Sequence, residues 1–253
     1  MMLQQTQVER VIPYYKNFIK KYPSVRTLAK APLSDVLKEW QGLGYNRRAK
    51  ALHEAVKAAT LSRSNLDMSF PKTLEELEKL PGVGPYTAGA IMAFAHNADV
   101  VLIETNIRTA IIHHFFSGGN IRHRMSDITQ KRNSTIYGTV SDAEIAEVLQ
   151  KVLPQGQARA WYSALMDYGT HLKRSGVKTN AKVKGYTKQS KFAGSNREIR
   201  GAVLRALSRK PSTKALLEKL FNIERKKEVG TQIEKLLKEG MISKTGSLYS
   251  LPK

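Results

Sequence analysis

An all-α fold is predicted by three features of this sequence. Apolar residues recur at three- and four-residue spacing through most of its 253 positions, as the buried stripe of a helix requires. The periodic runs begin at Ser/Thr cap signals and stop at proline or glycine. Strand-like alternation is confined to residues 241–251, around the turn Lys244-Thr245-Gly246-Ser247, which suits one β-hairpin. The expected division is a helical subdomain over 1–108, a second over 109–172, a basic linker over 173–196 and a small module over 197–253.

Residues 3–21 predict a helix on Val8, Val11, Ile12, Tyr15, Phe18 and Ile19, closed by Pro23. Leu28 marks a short helical patch before Pro32. Ser34 is the expected N-cap of a helix carrying Val36, Leu37 and Trp40, which Gly42-Leu43-Gly44 ends. A further helix holds Ala49, Leu52, Val56 and Ala59, and the polar stretch Asn65–Lys72 is read as loop.

The stretch Leu80-Pro-Gly-Val-Gly-Pro-Tyr-Thr-Ala-Gly-Ala-Ile91 organises the middle of the chain. Thr73 and Glu76 have capping-box spacing, so a short helix with Leu74, Leu77 and Leu80 begins there. Gly82 and Gly84 permit a tight hairpin because glycine reaches positive φ without a Cβ clash. Pro85 suits a first helical turn, where its missing N–H costs nothing, and the second helix runs from Tyr86 to about Ala95. The product is a helix–hairpin–helix whose outward N–H groups can hold one phosphate and grip a backbone without reading bases. An ordinary tight turn between packed helices is the alternative for this stretch taken alone.

Beyond it, residues 100–103 are read as an extended link entering a helix from Thr105 to Phe116. Residues 117–140 read as loop. Ser141 caps a helix with Ile145, Val148 and Val152, and another after Pro154 centres on Trp161, Leu165 and Met166. From Arg197 three short helices precede the β-hairpin, the pattern of a winged helix. Trp40, Trp161 and Phe115 are expected in the core, and His113-His114 to pack, face solvent or touch phosphate.

Forty-two Lys and Arg against 21 acidic residues leave a formal charge of +21. Residues 171–253 hold 21 of the basic residues and only 6 acidic ones, so the excess sits where a DNA-tethering module would need it. A polyanionic partner is implied, nucleic acid before an anionic membrane surface. No apolar run can span a bilayer. Without cysteine there is no disulfide, thiolate metal site or cysteine-held iron–sulfur cluster, and the six histidines lack zinc spacing.

Glu104 follows the apolar run 100–103, with Asn106 two residues on. A carboxylate at an element boundary near a phosphate anchor is a catalytic candidate. Its simpler role is as an N-cap, with Glu104 or Thr105 satisfying free amides.

The run L-P-G-V-G-x-Y-T-A-G-A-I followed by carboxylate-x-Asn resembles the helix-hairpin-helix DNA glycosylases. Met2-Leu-Gln-Gln-Thr-Gln-Val8, Trp40-Gln-Gly-Leu-Gly-Tyr45 with Arg48-Ala49, and Ala164-Leu-Met-Asp-Tyr-Gly169 are similar to the adenine DNA glycosylases of the MutY type. The resemblance covers about residues 1–172. It implies a glycosylase core of two helical subdomains, to which the C-terminal winged-helix-like module is added. It also implies that Gly82, Val83, Gly84 and Thr87 grip the DNA backbone, with a monovalent cation at the hairpin carbonyls. Gln4 would wedge into the duplex, with Gln5 among the DNA-binding residues, and Tyr45 would intercalate beside the opposing base. Arg48, with Arg47 and Lys50, is read as lining the DNA or as part of a solvated basic helix face. The target nucleotide is everted, since its glycosidic bond cannot be attacked inside the stack. Glu104 would stabilise the oxocarbenium-like sugar, supported by Asn106. Tyr86 stands where related lyases carry Lys; it cannot form a Schiff base, which implies a monofunctional hydrolase. Ser163 and Asp167 would line the base pocket.

Several positions depart from the family. Glu104 replaces an aspartate, one methylene shorter. Ser163 stands where adenine-specific members carry Gln, which keeps thymine or uracil open as the excised base. The iron–sulfur loop lacks its cysteines, and Lys173, Arg174, Lys178, Lys182, Lys184 and Lys188 are expected to replace it electrostatically. The family's domain for reading 8-oxoguanine is not recognisable. Its general-acid glutamate would fall just before Met1, so a truncated homologue or a late start is expected, and Glu9 is read as a surface residue. The expected function is excision of adenine opposite 8-oxoguanine or guanine, by a cytoplasmic, nucleoid-associated prokaryotic monomer with no cofactor acting on double-stranded DNA. The competing expectations are a thymine or uracil mismatch glycosylase and an inactive DNA-binding homologue.

Overall fold

The computed structural model describes residues 1–61, 70–116, 140–179 and 191–253. The expected loops at 65–72 and 117–140 and the basic segment 173–196 fall partly or largely outside these residues. The chain divides into two compact units. Unit 1 comprises Met1–Phe70, Leu80–Gly82 and Gln189–Lys253, and unit 2 comprises Pro71–Lys79 and Val83–Lys188. This division differs from the one read in the sequence, which rests on local spacing and cannot register packing between distant segments.

Unit 1 opens with α1 (Val8–Lys21), α2 (Val25–Lys30), α3 (Leu33–Glu39) and α4 (Arg47–Leu61). Helix α1 carries its apolar residues in the single stripe expected, but buries only one edge of it, Val11 and Phe18, and leaves Val8, Ile12, Tyr15 and Ile19 exposed. Phe18 meets Tyr22 and Trp40 edge-on, with ring centroids 4.9 and 6.2 Å apart. Ser24 and Thr27 cap α2 reciprocally. The N-cap of α3 is Pro32, not Ser34; the Ser34 N–H bonds to the Pro252 carbonyl at 3.2 Å.

Unit 2 holds α5 (Leu74–Glu78), α6 (Pro85–Ala95), α7 (Thr105–Ile111) continued by a π-helical turn at Ile112–Phe116, α8 (Asp142–Val152) and α9 (Ala158–Arg174). Position 108, the expected end of the first subdomain, lies inside α7. Ser141 and Glu144 form a full capping box at α8. At α5 only half of the expected box is present: Thr73 accepts from Glu76 N–H, while the Glu76 carboxylate takes the Lys72 N–H. The core joins Leu102, Ile107, Ile111 and Ile112 to Ile145, Leu149 and Tyr162, with Trp161 and Phe115 partly buried against it. Helix α9 persists to Arg174, past the expected start of the linker.

The chain then returns to unit 1 with α10 (Asn196–Arg209), β1 (Ser212–Thr213), α11 (Lys214–Glu218), a 3-10 turn at Ile223–Arg225, α12 (Lys226–Lys238), β2 (Ser243–Thr245) and β3 (Leu248–Ser250). The strands form one antiparallel sheet in the order β1-β3-β2, so a third strand joins the hairpin read in the sequence. Ile199, Val203, Leu236, Ile242 and Leu251 belong to the same buried cluster as Val36, Leu37 and Trp40. The C-terminal segment thus has no core of its own, and burying its apolar faces stabilises the N-terminal helices as well. Glu239 reinforces the join by taking the guanidinium groups of Arg47 and Arg200. Those two cations hold its carboxyl at about 2, well below the usual carboxylate range.

Candidate active site

The hairpin is built by local rules. Gly82 has φ +69°, and a Cβ there would stand 2.3 Å from the Ala51 Cβ, so both conformation and space demand glycine. Gly84 corrects the expectation: its φ is −96°, as N-cap of α6, and a Cβ would meet nothing within 4 Å. Its value is open space at the helix start. Pro85 occupies the first turn of α6. Val83 is buried and anchors the turn through its side chain.

From α6 the chain runs through the link 100–103 to Glu104. Tyr162 on α9, fully buried, pins this link: its hydroxyl accepts from Leu102 N–H at 3.1 Å and donates to the Val100 carbonyl at 2.8 Å. Nothing in the sequence singles Tyr162 out, because a buried tyrosine at helical spacing reads as core.

Glu104 is the N-cap of α7, and its Oε1 accepts from Asn106 N–H at 2.6 Å and Ile107 N–H at 2.9 Å. The capping role open to Glu104 or Thr105 thus falls to Glu104. Both bonds use the same oxygen. Among the described residues Oε2 accepts none, so the cap orients the carboxylate and leaves half of it available.

Three neighbours feel this charge. Tyr86, in the first turn of α6 and exposed, has its phenol pushed up by burial of the hydroxyl end and then by Glu104. Arg108 is held by Asp142 in a two-pronged pair at 2.8 and 2.7 Å; that bond, more than Glu104, raises its guanidinium. Lys173 donates to Asn106 Oδ1 at 2.7 Å. Glu104, Asn106 and Tyr86 lie in one cluster, with Lys173 beside them. Ser163 and Asp167 lie exposed on α9, and Ser163 Oγ donates to its own helix at the Arg159 carbonyl, 2.7 Å away. Neither bonds to Glu104, Asn106 or Tyr86, so the structure does not join them to that cluster.

A second cluster lies within unit 1. Tyr45 has φ +46° and Gln5 φ +56°, left-handed conformations that side chains rarely adopt. Arg48 connects them. Its terminal nitrogens donate to the carbonyls of Met1, Met2, Gln4, Leu43 and Gly44 and to the Thr6 hydroxyl. Its buried Nε has no partner among the described residues, and burial lowers its guanidinium below the ordinary value. Arg48, expected on the DNA face, spends its fork on five carbonyls and one hydroxyl of its own chain. The guanidinium groups of Arg48 and Arg197 each lie over the Tyr45 ring, 5.3 Å from its centroid, and Arg197 donates to the Tyr45 hydroxyl at 2.7 Å. Glu9 is exposed on the first turn of α1. His114 stacks on Tyr168 and shares a 2.8 Å hydrogen bond with its hydroxyl.

Among the described residues, no group of three His, Asp or Glu side chains is placed to hold a metal ion, and no helix is long and apolar enough to cross a membrane. A short helix, a glycine turn, a proline-started helix and a capping carboxylate beyond it define a helix-hairpin-helix protein. The chain belongs to the HhH-GPD superfamily of base excision DNA repair proteins, whose model matches residues 1–157.

Its relatives include the adenine DNA glycosylase of Buchnera aphidicola subsp. Baizongia pistaciae, 42% identical over 114 residues, which are 45% of this chain and 32% of that protein. The adenine DNA glycosylase of Mycolicibacterium smegmatis is 28% identical over 259 residues, 96% of this chain and 82% of the relative. The match therefore spans about a third of the Buchnera protein's length and most of the mycobacterial one's. Among solved structures, a thermostable thymine-DNA glycosylase is similar in fold, with a TM-score of 0.52 at 21% identity over 73% of this chain and 80% of that one.

Proposed function

We propose that this protein is a DNA glycosylase that hydrolyses the N-glycosidic bond of an everted base, adenine opposite 8-oxoguanine or guanine. The observation that carries this reading is the Glu104 carboxylate: one oxygen is locked by two N–H groups and the other is unclaimed among the described residues, beside Asn106 and Tyr86. The adenine DNA glycosylase relatives and the MutY-type motifs of the N-terminal half support the choice of base.

In this reading the N–H groups at the start of α6 hold a phosphate, helped by the positive end of that helix, and the open approach at Gly84 lets the backbone come close. The C1′–N9 bond breaks, its electron pair leaves with the base, and the sugar becomes oxocarbenium-like. Glu104 Oε2 faces that cation with a charge that needs no reorganisation, the largest lever such a site has. Water then adds to C1′, giving one proton to the departing base and closing the abasic sugar. Tyr86 offers no amine, so no Schiff base forms there. The basic C-terminal segment, with its three helices and three-stranded sheet, serves as a winged-helix-like surface for the duplex.

Duplexes carrying single A·8-oxoguanine, A·G, T·G and U·G pairs, scored for abasic sites by alkaline strand scission, test the reading. Scission at A·8-oxoguanine and A·G is expected. Scission at T·G or U·G alone would move the assignment to a pyrimidine mismatch, and tight binding without scission would reduce the protein to DNA binding.

A further inference from the structure

We infer that Lys173 is a positioning residue of the base-excision site, acting through Asn106 to fix which face of that carboxamide meets DNA; this rests on the proposed glycosylase reading. An ammonium group can only donate. The Asn106 atom 2.7 Å from Lys173 Nζ must therefore be the carbonyl oxygen, and the amide nitrogen is turned the other way. Asn106 is left presenting N–H donors, suited to a phosphate or sugar oxygen and unsuited to a base N–H.

The approach that allows this bond is built into α9. Gly169 lies one turn before Lys173, and a Cβ there would stand 2.1 Å from the main-chain carbonyl oxygen of Asn106 and 2.8 Å from its Cα. Only glycine lets α9 pass this close to the first turn of α7, and the i, i+4 relation puts Lys173 on the same face. The groups facing the ammonium are Asn106 and Glu104 on α7, with His171 and Arg174 flanking it on its own helix. Burial pulls the ammonium below the ordinary lysine range, against the opposing pull of Glu104. A lysine set into a partly buried contact with two residues of the reaction cluster is costly as a surface charge and sensible as an orienting donor.

The test is a double-mutant cycle on the full chain, using Lys173→Met, Lys173→Arg and Asn106→Ala. Its readouts are single-turnover base release from an A·8-oxoguanine duplex, affinity for a duplex with a tetrahydrofuran abasic-site analogue, and melting temperature. Lys173→Met is expected to slow release about tenfold, Lys173→Arg to restore it to within about threefold, and Lys173→Met to add less than about twofold in the Asn106→Ala background. Additive losses in the cycle, or a slowdown that Arg does not rescue, would overturn the assignment. So would a borohydride-trapped covalent complex that depends on Lys173, because that would make it a nucleophile. If wild type releases no base from any mismatch, the glycosylase reading fails. The affinity arm then still decides the coupling: a Lys173→Met loss that vanishes in Asn106→Ala supports it, and one that persists overturns it.

Discussion

The cluster around Arg48 and the cluster around Glu104 are built on mirror-image principles. In the first, a cation gathers backbone carbonyls from two loops; in the second, an anion gathers backbone amides at a helix start. The difference lies in what remains. Arg48 spends both terminal nitrogens on Met1, Met2, Gln4, Thr6, Leu43 and Gly44, whereas among the described residues Glu104 spends only Oε1. A charge satisfied by its own chain is scaffold, and a charge half satisfied is available for chemistry. On that distinction Arg48 holds the shape of the Gln4–Gln5 and Tyr45 loops, and Glu104 is the group proposed to act on the substrate.

Substitutions put this contrast at risk. The largest expected effect on stability is Gly169→Ala, whose methyl would collide with the Asn106 backbone and should cost about 3 kcal/mol or more. Chemical denaturation would read it, and a variant of wild-type stability would mean that α9 can step away from α7 cheaply.

Arg48→Met comes next. It should cost about 2–3 kcal/mol, because several partly buried carbonyls lose their donor. Limited proteolysis should then cut within residues 1–7 or 41–46. Protection there equal to wild type would show that the loops hold without the cation.

How much of this is legible in the sequence depends on the range of the interaction. Pro85, Ser141 and Gly82 obey rules that act within four residues, and each does what the sequence indicates. Ser34 fails as a cap because the neighbouring Pro32 already sets the helix start and Pro252 takes its N–H, a partner 218 positions away in the chain. Arg48 resembles a DNA contact in the sequence for the same reason: its acceptors come from two loops that only the fold brings together. Lys173 looks there like one of several linker cations, since nothing local reports that Gly169 brings it against Asn106. The capping role of Glu104, in contrast, is legible in the sequence, and the structure shows it met through Oε1.

A smaller effect comes from Glu239, whose folded-state value is about 2 against an ordinary 4.5. The stabilisation from Arg47 and Arg200 is present above about pH 4.5 and is lost as pH falls toward 2, an acid-side loss on the order of 2 kcal/mol. Melting curves between pH 6 and 2 should show it, and Glu239→Gln should be weakened already at pH 7 with a shallower acid limb. An unchanged acid limb in that variant would remove Glu239 from the join between α4, α10 and α12. The smallest expected change is Arg197→Met, which takes one hydrogen bond and one ring contact from Tyr45 and should lower stability by about 1 kcal/mol or less. A larger loss would make Arg197 as much a keystone as Arg48.

The decisive experiment is single-turnover base release from an A·8-oxoguanine duplex by wild type and Glu104→Gln, with the melting temperature measured on the same samples. The glutamine carbonyl can still cap α7, so the melting temperature should hold while the rate falls by about 10² or more. Equal rates in the two proteins, or a rate loss that merely follows unfolding, would contradict the assignment of chemistry to the unclaimed oxygen of Glu104.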